Sequence, residues 1–432
     1  MPILFGAVAD DNTGATDVAG TLADRGMRPV LILDEPWRED IERWTRDADA
    51  VVIGTASRSL SSTAAYEQTR RAIRLLKTVN PQLLHVKYCS TFDSSPEGNI
   101  GSSIEAAMDE TDEQFTIALP ALPATGRTTY MGYQFVGQQL LSDSPMRNQS
   151  LNPIANSNLV AHLQGQTKRR VGLAPYLDVK QGPAKIRERL AQLRGDGIEI
   201  ALLDCTSGED LHNICEAISD MRLVSGSSGL ARHLPSFWPA SRPVYPVRRR
   251  GGRGFLVVSG SCSQSTRRQN AWLAAHDAMV ITLGAMDLAV GSMPDSVLTP
   301  ICEALASGGT CLIQTSTDTE TVREHFHAQN RSELEAGVNI ARSLANFVRD
   351  VMSLVAPEGL IVAGGQTSNI LSRVLGFGAL AVGPNIEPGI PVCVTLAGSA
   401  LPVVLKSGNF GTEGFYRHAI ETIRSLDYQD VQ

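Results

Sequence analysis

The sequence lacks the features that would connect it to a membrane, to nucleic acid or to a disulfide scaffold. No apolar run approaches the roughly 20 residues of a transmembrane helix, and the first residues show no basic segment followed by an apolar core. The net charge of −7 disfavours nucleic acid, because a phosphate backbone demands a basic face. Its seven cysteines are scattered without a Cys-x-x-Cys pair, which suits a reducing cytosol. These absences predict a cytoplasmic protein that binds neither membranes nor nucleic acid.

The standard fingerprints of several enzyme classes are also missing. There is no Walker A motif and no G-x-G-x-x-G at a strand–helix junction, so neither common nucleotide fingerprint applies. Protein-kinase signatures and the G-x-S-x-G nucleophile elbow are absent as well. Cys262 has no apparent base partner, so we interpret it as a small packing residue. A nicotinamide-dependent oxidoreductase stays open as a third alternative.

The length and the apolar pattern predict the fold class. A chain of 432 residues exceeds what one hydrophobic core usually serves, so we expect two domains. Continuous apolar strands alternate with amphipathic helices, which is typical of two α/β domains, each with a mostly parallel sheet flanked by helices. We place the domains at residues 1–240 and 255–432, with a linker rich in proline, arginine and glycine at 241–254. Residues 121–166 are predicted to form an irregular functional loop or lid.

Two adjacent carboxylates, Asp10 and Asp11, follow the first predicted strand, Ile3–Ala9. Open α/β sheets place ligand-handling groups at the carboxyl ends of buried strands. One acid is enough to cap the helix that follows, so the second favours a function. We assign Asp10 to the substrate hydroxyl, and we expect Asp11 to share helix capping with a Mg²⁺ ion.

Three cations, Arg58, Lys87 and Arg127, follow other predicted strands and should lie near the same rim. A guanidinium binds a carboxylate well, and a lysine neutralises a phosphate or polarises a hydroxyl. The set points to a small anionic, hydroxylated substrate. A purely structural ion pair, such as Asp10–Arg58, stays open as the alternative for any single residue.

Three turns in the second half of the chain share one design, in which a strand leads through glycine and hydroxyl residues into a helix. They are Ser259-Gly260-Ser261-Cys262-Ser263, Gly364-Gly365-Gln366-Thr367-Ser368 and Lys406-Ser407-Gly408-Asn409-Phe410-Gly411. Glycine lets the backbone approach a ligand, and helix N-termini offer free N–H groups to an anion. Ordinary strand–helix loops explain one such turn, but three indicate a polyphosphate, so we predict a nucleotide site.

These motifs, in this order, resemble the four-carbon acid sugar kinases, once known only as a domain of unknown function. The resemblance covers nearly the whole chain, and the branch it fits best is that of the 3-oxo-tetronate kinases. Besides the stretches above, it rests on Lys87-Tyr88-Cys89-Ser90-Thr91-Phe92-Asp93-Ser94, Gly98-Asn99-Ile100-Gly101 and Ala124-Thr125-Gly126-Arg127-Thr128. It implies ATP-dependent phosphorylation of the terminal C4 hydroxyl of an acid such as 3-oxo-tetronate, with Mg²⁺. The acid would bind the N-terminal domain and ATP the C-terminal domain, in a cleft between them, with a homodimer as an open alternative.

Residue roles follow from the motifs and the resemblance together. Asp10 and Lys87 are the expected catalytic residues, Arg58 would clamp the substrate carboxylate, and Asp11 is the expected metal ligand. The expected substrate-binding residues are Asp10, Asp11, Arg58, Lys87, Ser90, Thr91 and Arg127. The expected ATP-binding residues are Ser259, Ser261, Gly364, Gly365, Gln366, Thr367, Lys406 and Gly408.

Some positions depart from the family pattern. Gln366 stands where an acid usually follows the glycine pair, Gln149 and Ser150 replace His-Pro, and Asn156 replaces an aspartate. The loss of acidic residues near a nucleotide would weaken the binding of Mg²⁺. Two alternatives therefore stay open: a kinase for threonate, erythronate or 3-oxo-isoapionate, and a catalytically weakened protein that binds an acid sugar or a nucleotide.

Overall fold

A computed structural model describes residues 3–33, 38–144, 147, 156–238, 248–249, 252–276, 278–291, 295–316, 319–328, 332–426 and 428–429. Its backbone divides into two compact units, Met1–Pro243 and Val244–Gln432. Most of the expected linker, and the departures at Gln149 and Ser150, lie outside the described residues. The domain bounds drawn from the sequence, and the ligand cleft between the domains, stay predictions. Within the described residues, no helix combines the length and apolarity that crossing a membrane requires.

The N-terminal unit is built on a parallel sheet. Its strands are β1 (Phe5–Ala9), β2 (Pro29–Ile32), β3 (Ala50–Gly54), β4 (Leu83–Lys87), β5 (Thr116–Leu119), β6 (Arg127–Tyr130), β7 (Tyr133–Val136), β8 (Gln139–Leu140), β9 (Val171–Ala174), β10 (Ile200–Leu203) and β11 (Leu223–Gly226). Its helices are α1 (Asn12–Asp24), α2 (Arg38–Trp44), α3 (Ser62–Lys77), α4 (Ile100–Thr111), α5 (Leu159–Gln164), α6 (Tyr176–Val179), α7 (Pro183–Gly195), α8 (Gly208–Ala217) and α9 (Gly229–His233). The main sheet has the order β2-β3-β1-β4-β11-β5-β10-β9, with every pairing parallel.

The C-terminal unit contains a mixed sheet. Its strands are β12 (Arg248–Arg249), β13 (Phe255–Ser259), β14 (Ala278–Leu283), β15 (Thr310–Thr315), β16 (Gly359–Ala363), β17 (Ala379–Glu387), β18 (Ile390–Thr395), β19 (Pro402–Lys406) and β20 (Tyr428–Gln429). Its helices are α10 (Gln264–Ala274), α11 (Ala285–Val290), α12 (Leu298–Ala306), α13 (Thr319–Ala328), α14 (Glu333–Leu354), α15 (Gly365–Val374) and α16 (Phe415–Ser425). The sheet order is β14-β15-β13-β16-β19-β18-β17, in which β18 runs antiparallel to both of its neighbours.

The mostly parallel α/β architecture predicted from the sequence is confirmed. Strands β1 to β5 are almost completely buried, as expected when helices cover both faces of a parallel sheet. The sequence of each such strand is therefore a continuous run of apolar residues and not an alternation of apolar and polar residues. Both sheets end in strand–helix turns, where polar side chains can reach a ligand.

Two parts of the chain differ from the sequence expectation. Residues 121–166 are not simply irregular, because β6, β7 and β8 form a separate antiparallel sheet within them and α5 follows. Strand β18, which the sequence analysis did not identify, pairs with β17 and β19 in the C-terminal sheet. Both additions are antiparallel, and both contain a tight turn with a glycine in the left-handed region, Gly132 between β6 and β7 and Gly389 between β17 and β18.

Candidate functional site

Four charged side chains meet at the carboxyl edge of the N-terminal sheet. Arg58 donates two hydrogen bonds to Asp10, from Nε to Oδ2 at 2.8 Å and from Nη2 to Oδ1 at 2.9 Å. The third nitrogen of Arg58, Nη1, lies 2.8 Å from Oδ2 of Asp11. The Nζ atom of Lys87 lies 3.6 Å from Oδ1 of Asp10 and 3.9 Å from Oδ1 of Asp11. The structure thus brings together four of the residues predicted for this rim.

The order of the strands in the sheet explains why these four side chains lie close together. Strand β1 lies between β3 and β4, and Ala9 at its end pairs in register with both Gly54 and Lys87. The backbone continues the link, because the Arg58 N–H donates to the carbonyl of Asp10 and the Asp10 N–H donates to the carbonyl of Lys87, both at 3.1 Å. The ends of three adjacent parallel strands therefore fix the four side chains at one edge.

Asp10 and Lys87 each stabilise the charged form of the other. Burial raises the pKa of Asp10, but attraction to Arg58 and Lys87, together with hydrogen bonds from the Arg58 side chain and the Cys89 backbone, outweighs it, so the pKa of this carboxyl falls below its usual value. Burial opposes the charge of Lys87 too, yet the carboxylates of Asp10 and Asp11 raise its pKa. A buried carboxylate held this way is a weak base and a strong partner for cations.

Gly14, in the first turn of α1, makes room for the lysine. A Cβ atom at this position would lie 1.8 Å from Nζ of Lys87 and 2.6 Å from Oδ1 of Asp11. The backbone N–H of Gly14 donates to Oδ1 of Asp11 at 2.7 Å, so Asp11 caps this helix as the sequence suggested. The glycine therefore allows one helix start to accommodate both a cap and a buried ammonium group.

Two glutamines hold the loop that follows β4, which contains the predicted substrate residues Ser90 and Thr91. Gln134 of β7 donates from Nε2 to the carbonyl of Ser90. Gln166, just after α5, donates from Nε2 to Oγ of Ser94 at 2.8 Å. The segment expected to be a lid thus contributes buried side chains that position this loop, a role that the sequence analysis missed.

Among the described residues, Arg127 pairs with its own turn and not with the acids of the four-residue cluster. It starts β6, and its Nη1 atom donates to the carbonyl of Thr125 at 2.7 Å. In the described part of the chain it forms no ion pair with Asp10 or Asp11. Its role in substrate binding stays a prediction.

The C-terminal unit contains a cavity of about 440 Å³ at the predicted nucleotide turns. The turns after β13, β16 and β19 all reach it, through residues that include Ser261, Gly365 and Gly408. Its other wall comes from α14, where Ile340 and Leu344 are apolar. A cavity with a glycine-rich polar end and an apolar wall suits a nucleotide, because phosphates accept from backbone N–H groups and a base packs against aliphatic side chains.

Glycine allows these turns to approach each other closely. A Cβ atom at Gly408 would lie 2.2 Å from Oγ of Ser261, and one at Gly260 would lie 2.2 Å from Oγ1 of Thr367. The carbonyl of Gly408 accepts hydrogen bonds from the hydroxyls of Ser263, at 2.6 Å, and Thr266, at 2.7 Å. The three turns are therefore interlocked, which pre-organises the cavity.

Two of the predicted ATP residues are buried beside the cavity rather than in its lining. The Oγ atom of Ser259 accepts from Nδ2 of Asn270 at 2.9 Å and belongs to a buried network. The Nζ atom of Lys406 donates to Oγ1 of Thr266 at 3.2 Å, and burial lowers the pKa of Lys406 to about 8. Their direct contact with ATP stays a prediction, while the contacts shown here support the turns.

One residue of the cavity wall differs from the sequence interpretation. Cys262 is exposed and lines the cavity, so it is not a packing residue. The buried residues Ala341 and Leu344 of α14 also line the cavity. Gly337 could have been recognised from the sequence as part of the cavity wall, because a glycine inside a long helix indicates that another group approaches closely. A Cβ atom there would lie 3.2 Å from Oε1 of Gln366.

The contacts of Asp11 do not suit a metal ligand. Its Oδ1 accepts from the backbone of Gly14 and its Oδ2 faces Arg58 at 2.8 Å, with Lys87 also within 4 Å. Two positive charges at that distance disfavour a third cation. No group of three or more His, Cys, Asp or Glu side chains within the described ranges could hold a metal ion.

Two models of known protein families match the chain, one in its N-terminal part and one in its C-terminal part. A model for a sugar-binding N-terminal domain matches residues 5–234, and one for a nucleotide-binding C-terminal domain matches residues 256–416. The four charged residues fall in the first match, and the 440 Å³ cavity falls in the second.

Curated relatives and solved structures extend over nearly the whole chain. The 3-oxo-tetronate kinase of Pseudomonas savastanoi pv. phaseolicola is 36% identical over 428 residues, which covers 97% of each chain. That of Salmonella typhimurium is 36% identical and covers 96% of this chain and 98% of the relative. A Haemophilus influenzae protein of known structure, from the DUF1537 family, is 31% identical with a TM-score of 0.79, over 97% of this chain and all of that one.

Proposed function

The chain belongs to the four-carbon acid sugar kinase family and phosphorylates a sugar acid, and we propose that it transfers the γ-phosphoryl group of ATP to the terminal C4 hydroxyl of 3-oxo-tetronate. The observation that carries the proposal is that the chain has two different sites, one in each of its two family-matched regions. A cluster of buried charges lies in the sugar-binding region, and a glycine-lined cavity lies in the nucleotide-binding region. A kinase needs both.

The proposed reaction breaks the bond between the γ-phosphorus and the oxygen that bridges it to ADP. A new bond forms between that phosphorus and the C4 oxygen of the acid, ADP leaves, and the hydroxyl proton is released to solvent. Phosphoryl transfer depends mainly on positioning and on stabilisation of negative charge, with little demand for a strong base. Backbone N–H groups around Ser261, Gly365 and Gly408 would hold the phosphates of ATP.

In this proposal Lys87 supplies positive charge to the sugar acid or the transferring group, and Asp10 orients the hydroxyl. The low pKa of Asp10 favours orientation over proton removal. All three nitrogens of Arg58 already face Asp10 and Asp11. We therefore reassign Arg58 from substrate clamp to organiser of the two carboxylates.

Mg²⁺ belongs to the proposal only as a partner of ATP, since kinases bind the nucleotide as its magnesium complex, in which phosphate oxygens and water supply most of the ligands. The cavity is lined by no carboxylate in the described residues, and Asp11 is already paired with cations. Asp11 is accordingly proposed as a helix cap and charge partner and not as a metal ligand.

A substrate panel tests the proposed function. Purified protein with ATP and Mg²⁺ is incubated with 3-oxo-tetronate, threonate, erythronate and 3-oxo-isoapionate, and products are followed by ³¹P NMR. We expect a phosphomonoester coupled to the C4 protons of 3-oxo-tetronate. A preference for another acid of the panel would correct the substrate, and the absence of product from every four- and five-carbon acid would refute the proposal. A binding protein without turnover is not favoured, because the curated relatives carry kinase names over nearly full length.

A further inference from the structure

Asn99 is a buried polar residue without an evident structural role. It lies at the start of α4, within the Gly98-Asn99-Ile100-Gly101 motif, and its side chain makes no capping hydrogen bond. The residue is only 3% exposed. Its Nδ2 atom is buried and, within the described residues, has no hydrogen-bond partner. Buried amide nitrogens are nearly always paired, so this one requires an explanation.

The side chain borders a small cavity next to the charged cluster. Asn99, Asp10 and Lys87 all line this cavity, whose volume is about 10 Å³. That is enough room for one oxygen-sized group, provided that polar partners surround it. Such partners are present, since Ser57 and Ser103 add hydroxyl groups to the same lining.

The charged cluster leaves few donors for a substrate. The three nitrogens of Arg58 are directed to Asp10 and Asp11, so this residue no longer offers a free fork to a sugar acid. Hydroxyl, carbonyl and carboxylate oxygens of an acid sugar need hydrogen-bond donors. Several donors border the cavity, and among them the buried amide nitrogen of Asn99 has no partner in the described residues.

We propose that Asn99 is a substrate-binding residue, whose Nδ2 donates a hydrogen bond to one oxygen of the acid sugar in the small cavity beside Lys87. The inference rests on the proposed function and refines it, because it names a determinant for that same substrate. A site built around a donor rejects an analogue that lacks the matching oxygen, since the donor then stays buried and unpaired. Asn99 would therefore contribute to specificity as well as affinity.

Calorimetric titration of the full-length protein tests this inference. The probes are 3-oxo-tetronate, or the best acid of the panel, and analogues that each lack one oxygen. We expect Asn99→Ala to weaken binding of the parent acid about tenfold, which corresponds to ~1.4 kcal/mol. Asn99→Asp, which keeps the shape but replaces the donor by an acceptor beside Asp10, should weaken it at least as much. The KM for ATP should stay unchanged in both variants.

One analogue should behave differently from the rest. The acid that lacks the oxygen bound by Asn99 should bind wild type and Asn99→Ala equally, whereas the other analogues keep the tenfold difference. Asn158→Ala is the matched control, because Asn158 caps α5 in the ordinary way by accepting from Ala161 at 3.0 Å. That control should lower thermal stability and leave acid binding unchanged.

Several results would overturn the inference. Unchanged binding of the parent acid by Asn99→Ala would do so, and so would an equal loss for every analogue, which would mean that Asn99 acts on the fold or on a buried water. If wild type phosphorylates the acid while Asn99→Ala binds it normally, this inference fails and the proposed function stands. If wild type neither binds nor phosphorylates any acid of the panel, both fail.

Discussion

A methyl group added at Gly14 should displace Lys87 without changing any charge. The Cβ atom of Gly14→Ala would lie 1.8 Å from Nζ of Lys87, and ordinary van der Waals contact begins near 3.4 Å, so the ammonium must retreat by about 1.6 Å. Lys87 is 6% exposed and 3.6 Å from Oδ1 of Asp10. A shift of that size is large enough to break the contacts of the ammonium group with both carboxylates, which lie 3.6 and 3.9 Å away.

Two energies are affected, and they act on different equilibria. Replacing glycine by alanine inside a helix usually stabilises the folded chain by about 0.5–1 kcal/mol. A hydrogen bond from a charged group contributes about 1.5–3 kcal/mol where it is correctly placed. Only the second energy bears on the bound substrate, so we expect the kcat/KM of Gly14→Ala for the sugar acid to fall roughly 10- to 150-fold. The KM for ATP should change little, because Gly14 lies outside the nucleotide-binding region.

A coupled assay of ADP release measures both parameters, with denaturant unfolding as a check on stability. Gly195→Ala is the control, since Gly195 ends α7 and a Cβ atom there would have nothing within 4 Å. That variant should match wild type in activity. Wild-type kcat/KM in Gly14→Ala, with Tm also unchanged, would refute the role assigned to Lys87 in the charged cluster.

Three further changes test the rest of the site. Gly408→Ala brings a methyl group within 2.2 Å of Oγ of Ser261, so the KM for ATP should rise about tenfold, with Gly414→Ala unaffected. Asp11→Asn should leave an EPR titration of nucleotide-free protein with Mn²⁺ unchanged, because Asp11 is already paired with Arg58. Lys406→Met should flatten the rise in the free energy of unfolding between pH 8 and 10.5. In that range the unfolded chain keeps a proton that the folded chain has released, so stability increases with pH.

Each of these has a contradicting result. An unchanged KM for ATP in Gly408→Ala would mean that the turn tolerates a side chain. A stoichiometric Mn²⁺ site that disappears in Asp11→Asn would restore the metal role first expected for Asp11. Equal pH slopes of denaturant midpoints for wild type and Lys406→Met would show that Lys406 titrates normally in the folded protein.

The sequence was sufficient to predict which residues of the candidate site lie at the ends of strands. Asp10 and Lys87 each end or follow a continuous apolar run, and parallel strands place such positions at one edge. The pattern could not give the spatial order, in which β1 lies between β3 and β4, because that order depends on contacts distant in sequence. For the same reason it could not show that Arg58 binds Asp10 and not a substrate carboxylate. The structural ion pair considered as an alternative is present.

The antiparallel elements were harder to predict, for reasons visible in their turns. Met131 and Gly132 both have positive φ, at 51° and 77°, which makes a tight two-residue hairpin between β6 and β7. Such turns are usually signalled by Asn-Gly or Asp-Gly, and methionine at the first position conceals this one. The turn before β18 had a clearer signal, the dipeptide Pro388-Gly389, between two apolar runs.

The charged cluster also determines which substitutions are informative. Asp10, Asp11, Arg58 and Lys87 balance to zero, and three of them are mostly buried. Removing one charge from a buried pair costs about 3–5 kcal/mol, because the opposite charge is left uncompensated. Since whole domains are stable by only about 5–15 kcal/mol, lost activity in such a variant reports folding as much as chemistry. Substitutions to alanine at Gly14 and Asn99 remove none of the four charges, so a change in acid binding there reports on the substrate site more directly than the loss of a charged residue does.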